Sequence, residues 1–343
     1  MLFGGLEVFA LVGFLIAAYS IVANDAIQTL GTFLSSNSRA PWWILWLYAC
    51  SIIVAVMLYG YFALNTDIAY GRLNRIPYPE TGIEWWHALP PAVLLILTRF
   101  GIPVSTTFLV LTIFTMTGGA ATEGVLVDML IKSGVGYLVA LFAGGLVYLA
   151  VANSWERWIH STLERPIPIV WVALQWLSTA FLWSQWLIQD LANIFVFLPR
   201  STVTDGATTQ VTFDPWLLVF ATLVMLVLHA WIFATRGGEI QKIVNSKTNI
   251  TDIRAATLVD FIYGIILVLF KEINDVPMST TWVFLGLLAG REIAISYISG
   301  LRSRREAAHD VLTDIARAGL GLAVSVVLAV GLPWAATGKL PSF

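Results

Sequence analysis

Two clusters of carboxylate and carboxamide side chains recur in this chain, each inside a segment that is otherwise apolar. Residues 12–33 read VGFLIAAYSIVANDAIQTLGTF and residues 177–198 read LSTAFLWSQWLIQDLANIFVFL. Aligning Asp25 with Asp190 sets Asn24 opposite Gln189 and Gln28 opposite Asn193. Each copy is then amide–Asp–x–x–amide, and amides four residues apart share one helix face, a turn apart. Carboxylate and amide oxygens are hard ligands that suit a hard cation such as sodium. Downstream of each cluster lies a hydroxyl-rich turn, TRFGIPVSTT at 98–107 and KEINDVPMSTT at 271–281. If each turn opens a helix, Ser105, Thr106, Thr107 and Ser279, Thr280, Thr281 crowd its first turn. There the unsatisfied N–H groups and the positive dipole end favour an anion. Runs of this kind also serve simply to satisfy backbone carbonyls in membrane helices. Ionisable groups at membrane depth are costlier and mark function, so the aspartates carry the reading: cation ligands beside an anion cradle. The Asp25–Ser105 and Asp190–Ser279 separations, 80 and 89 residues, differ by about the length that the polar stretch 200–214 can absorb.

The elements that must position these groups belong to a membrane protein. Of 343 residues, 58% are hydrophobic and 12% charged, whereas a soluble domain carries about 25% charged residues. Apolar runs lie near 6–23, 42–64, 124–152, 169–198, 215–235 and 311–336. A helix crosses the hydrocarbon core in about 20 residues, and runs this long predict helices rather than barrel strands. Each Pro-x-Ser-Thr-Thr falls between apolar segments read as too short to span alone, 88–98 and 108–117 in the first case. That predicts a re-entrant hairpin with proline near the first position of the returning half-helix. The expected fold is an all-α polytopic membrane protein of inverted-topology repeats, with two re-entrant helical hairpins and broken helices. Residues 1–152 form the first repeat with hairpin 88–117, and 153–168 a cytoplasmic linker. Residues 169–310 form the second, inverted repeat with hairpin 256–298, and 311–343 a C-terminal transmembrane helix and tail. Broken helices meeting near the midplane from both halves are the binding-site pattern of a secondary transporter.

If both hairpins re-enter, ten Lys and Arg residues fall in the linkers of one side and four on the other. The basic side is cytoplasmic by the positive-inside rule, which puts both termini outside a plasma (inner) membrane. The first helix is expected to be retained, because no Lys or Arg precedes Arg39. A net charge of −2 gives no reason to expect nucleic acid. Lone Cys50 and four scattered histidines (His87, His160, His229, His309) exclude an internal disulfide and predict no transition-metal site. Neither an enzyme nor a cofactor is expected, since no nucleophile–base set is visible. Arg99 and Lys271, close to the hairpin tips, are candidates for attracting the anion, with pairing to a carbonyl or carboxylate as the alternative. Asp128 and Lys132, one turn apart, read as an intrahelical pair.

With these motifs the sequence resembles the inorganic phosphate transporter (PiT) family, whose members carry Gly-Ala-Asn-Asp-x-Ala-Asn in each half, followed by Pro-Val-Ser-Thr-Thr. Ala23-Asn24-Asp25 and Pro103-Val104-Ser105-Thr106-Thr107 match closely, and Pro277-Met278-Ser279-Thr280-Thr281 nearly so. The stretch 236–281 also looks like the family's second-half approach to its hairpin. Gln28 and Gln189 stand where the family has Asn, and Phe108 and Trp282 where it often has His or Gln. The acidic residue many members carry in the second helix is absent around Cys50. The resemblance implies symport of phosphate with sodium, in a lipid-embedded homodimer. The residues give their own reason for a coupling cation. Asp25, Asp190 and a divalent oxyanion in one cavity would repel by several kcal/mol or more per pair at about 4 Å. Two helix dipoles of roughly half a charge each cannot offset that. Two sodium ions held by Asn24, Asp25, Gln28, Gln189, Asp190 and Asn193 nearly would, and protonation of the aspartates is the alternative. Other readings are a sodium- or proton-coupled permease for sulfate or another oxyanion, and a non-transporting membrane subunit that binds a partner or lipid.

Overall fold

The computed structural model describes residues 2–3, 6–99, 104–118, 122–162, 166–205, 208–236, 252–273, 275–298 and 303–338. Pro103 and the side chain of Arg99 lie outside the described residues, as does most of the linker 236–254. The chain is helical almost throughout: α1 (Val8–Ile21), a π-helical turn (Val22–Ala26), α2 (Ile27–Ser36), α3 (Trp42–Ala63), a 3-10 turn (Trp85–Ala88), α4 (Leu89–Arg99), α5 (Thr106–Thr117) and α6 (Val125–Ser161). The second half continues with α7 (Ile169–Phe195), α8 (Pro215–Ala234), α9 (Ile253–Ile273), α10 (Thr280–Ile298) and α11 (Arg304–Thr337). Two short antiparallel hairpins, β1–β2 (Leu2–Phe3, Leu6–Glu7) and β3–β4 (Ser201–Asp205, Thr208–Thr212), are the β elements. The second occupies the polar stretch 200–214 that lengthens the second half.

Seven described segments are long and apolar enough to cross a membrane: Val8–Asp25, Trp42–Ala63, Val125–Ala150, Pro215–Ala234, Ile253–Ile273, Thr280–Ile298 and Arg304–Thr337. At 27 residues α7 is long enough to cross, but Gln175, Gln185, Gln189, Asp190 and Asn193 make it more polar than these. The molecule is a polytopic helical membrane protein. Its element order repeats: two long helices, a pair broken at Ser-Thr-Thr, then a long helix. Packing is reciprocal between the halves. The helix after each break packs against the last helix of the other half, α5 on α11 and α10 on α6.

Three details differ from expectation. The second broken pair is not short, because α9 and α10 have 21 and 19 residues and each could cross by length. Asp25 sits in a π-turn that interrupts its helix, whereas Asp190 lies within continuous α7. Neither helix after a break begins at proline. Ser105 caps α5, and Pro277 stands two residues before Ser279, so serine rather than proline fixes each start.

The most extensive helix contact among the described residues is α6 on α10, and small residues permit it. A Cβ added at Gly290 would come within 2.0 Å of the Leu141 carbonyl oxygen, and one at Gly286 within 2.3 Å of that of Tyr137. Between α3 and the 3-10 turn, residues 64–84 fold as consecutive turns. The Asp67 carboxylate pins them by accepting from the Ala69 and Gly71 N–H groups at 2.8 and 2.6 Å.

Candidate functional site

Asp25 and Asp190 are brought into one cluster, linked through the side chains of Thr106, Thr107 and Asn193, at 1% and 0% exposure. The breaks before α5 and α10 meet beside them. Thr107 Oγ1 donates to the Met278 carbonyl at 3.0 Å, and Thr281 Oγ1 to the Val104 carbonyl at 3.4 Å, so each tip holds the other. Each aspartate accepts from the first helical threonine of its own half. Thr106 Oγ1 donates to Asp25 Oδ2 at 2.5 Å and Thr280 Oγ1 to Asp190 Oδ2 at 2.6 Å. The spacing that recurs in the sequence is therefore a recurring hydrogen bond. Thr107 crosses between halves and also donates to Asp190 Oδ1 at 3.3 Å.

The amides divide unequally. Asn24 Nδ2 donates to Asp25 Oδ1 at 2.6 Å and to the Val104 carbonyl at 3.2 Å, while Asn24 Oδ1 accepts from Thr98 at 3.3 Å. In the second copy, Asn193 Nδ2 donates to Asp190 Oδ1 at 2.7 Å and to the hydroxyls of Thr107 and Thr106 at 3.1 and 3.3 Å. Gln189 Nε2 donates to the Leu267 carbonyl at 3.0 Å. The acceptor oxygens Asn193 Oδ1 and Gln189 Oε1 are buried without a hydrogen-bond partner. Gln28 is buried a turn beyond Asp25, but the described hydrogen bonds to that carboxylate come from Asn24 and Thr106.

Ser105 and Ser279 do a structural job, each accepting from the N–H three residues on, Phe108 and Trp282, at 3.2 Å. The rings of Phe108 and Trp282, one from each first turn, pack with centroids 5.4 Å apart. The Trp282 indole N–H is buried without an acceptor. Lys271 sits 3.6 Å from Glu272 with its side chain 28% exposed. Asp128 does not pair with Lys132. It binds Arg75 at 2.7 Å, while Lys132 Nζ reaches the Val276 carbonyl at 2.9 Å. Tertiary partners outcompete the exposed intrahelical pair, which is worth only a few tenths of a kcal/mol.

Sequence reasoning missed several members. Ser133 Oγ accepts from the Ser279 N–H at 2.8 Å, and the Tyr263 hydroxyl donates to the Thr280 carbonyl at 2.9 Å. A third carboxylate buried within the helices, Asp260, accepts from Thr32 and Thr179 at 2.7 Å each and ties α2, α7 and α9 together. The rule that singled out Asp25 applies to Asp260 too, since it is an acid within an apolar helix. Arg72 comes from a loop and carried no such signal.

Chemically, the cluster offers carboxylate and unpartnered amide oxygens to a cation, with first-turn N–H groups and hydroxyls beside them for an anion. No family model matches the chain, and no curated protein does. Among solved structures, the chain is similar to one described as "The sodium-dependent phosphate transporter". The two share 14% sequence identity, over 97% of this chain and 98% of that one, with a TM-score of 0.56. That likeness establishes the fold from end to end.

Proposed function

We propose that this chain is a secondary active transporter that moves inorganic phosphate in symport with sodium. One observation carries the reading: two buried carboxylates from equivalent helices share a cluster with the first turns of α5 and α10. An anion cannot join two carboxylates there unless cations come with it. The unpartnered oxygens of Gln189 and Asn193 support sodium as that cation. A buried acceptor left unsatisfied costs about 1–3 kcal/mol, and an ion coordinated there recovers it. The choice of phosphate and sodium is supported by the likeness to a sodium-dependent phosphate transporter.

Coupling follows from the threonines. Thr106 and Thr280 spend their hydroxyl hydrogens on Asp25 and Asp190. A cation on those carboxylates weakens their hold on the protons. The hydroxyls can then turn to the anion beside the first-turn N–H groups, so the cation binds first and the anion second.

Uptake of labelled phosphate and of sulfate into proteoliposomes, with and without sodium and pH gradients, tests the reading. Phosphate uptake driven by sodium is expected. Uptake driven by pH alone would make the coupling ion a proton, and preference for sulfate would change the cargo. Absence of any uptake, together with binding of phosphate or lipid, would make the chain a binding subunit.

A further inference from the structure

The two aspartates occupy equivalent positions, but the loop between α3 and the 3-10 turn makes them unequal. Residues 64–84 deliver Arg72 into the protein, where it is 1% exposed. Its Nη1 donates to the Val276 carbonyl at 3.3 Å, three residues before Ser279, and Lys132 of α6 donates to the same oxygen at 2.9 Å. The loop has little freedom to withdraw it. Asp67 holds the preceding turn, and Gly71 at φ +77° lies so close to Asp275 that an added Cβ would come within 3.2 Å of its carboxyl carbon. Burial lowers the Arg72 pKa to about 10, against the opposing pull of Asp275, Asp190 and Glu272, so the guanidinium is charged at neutral pH. Val276 lies four residues before Thr280, whose hydroxyl binds Asp190, so the guanidinium anchored there stands on the Asp190 side of the site, whereas Asp25 takes its hydrogen bonds from Thr106 and Asn24.

We propose that Arg72 is a tethered counter-cation for the Asp190 half of the site, so that the anion enters with one fewer free cation than two bare carboxylates would demand. This rests on the reading of the cluster as a cation-coupled oxyanion site. Lys132, anchored on the same carbonyl, adds positive potential at the second tip, and the free cation is left to the Asp25 carboxylate. Arg72 acts through the charge it presents to Asp190, and it is a positioning residue rather than a ligand.

The test is the sodium stoichiometry of purified protein. The slope of log phosphate affinity against log sodium concentration counts the ions taken up with the anion. Arg72→Gln should raise that slope by about one, and equilibrium binding of radioactive sodium without phosphate should rise by about one ion per chain. Arg72→Lys keeps the charge and should restore wild-type values of both. An unchanged slope and sodium count in Arg72→Gln overturn the proposal. So does equal loss of phosphate binding in both variants, which would make Arg72 a structural tether. If the wild type binds no phosphate at any sodium concentration, the transport reading fails. The sodium count of Arg72→Gln against wild type then decides the role of Arg72 by itself.

Discussion

Asp190 shows how closely one side chain can be tied to coupling. Its two oxygens accept from Thr280, Asn193 and Thr107, which belong to three different helices. Asp190→Asn removes a cation ligand and also the charge that repels the anion. Phosphate binding across a sodium titration should therefore lose most of its sodium dependence without a matching loss of affinity at low sodium, because the two effects oppose each other. A mutant that keeps the wild-type sodium curve would remove Asp190 from the coupling scheme. Thr106→Val keeps the shape but deletes the hydroxyl that bridges Asp25 and the first turn of α5. Without the hydroxyl that would turn to the anion, phosphate binding should weaken by about 1.5–3 kcal/mol, the range for a hydrogen bond to a charged group. Calorimetry reads it directly, and unaltered affinity would confine Thr106 to packing.

At the scale of elements, the α6–α10 contact holds the second first turn in place. Gly290 lets the α10 backbone approach Leu141 so closely that a methyl group has nowhere to go. Gly290→Ala should cost at least about 1–3 kcal/mol, the usual range for overpacking a tight contact. It should lower the thermal midpoint in detergent, and an unchanged midpoint would show the contact to be loose. The sequence made the helices and both hydroxyl turns legible, because apolar length and a repeated Asp-to-Ser spacing survive in one dimension. The π-turn at Asp25 and the full length of α9 were not legible. A π-turn has no compositional mark, and Asp260 and Lys271 broke up the apolar run of α9. Asn193 and Gln189 were found as types, but their unpartnered oxygens depend on which neighbour each amide nitrogen chooses. Arg72 escaped notice because a loop cation looks solvated until the loop is folded.

For the whole molecule, the proposed inverted topology, with the basic linkers on the cytoplasmic side, is open to a direct test. Val203, on the β3–β4 hairpin, is 54% exposed, and Ser303, at the start of α11, is exposed as well. In a Cys50→Ser background, Val203→Cys should react with an impermeant thiol reagent applied outside intact cells. Ser303→Cys should react only after the membrane is opened. Reaction of both from the same side would break the inverted arrangement.

The depth of the hydroxyl turns has a consequence for timing. Thr106, Thr107, Thr280 and Thr281 lie in first turns, where amide hydrogens have no acceptor within their own helix, yet each is at most 2% exposed. Deuterium reaches such amides only when water does. Their exchange therefore records how often the closed tips part, and a cation that must bind before the anion should slow or quicken that clock even when no anion is present.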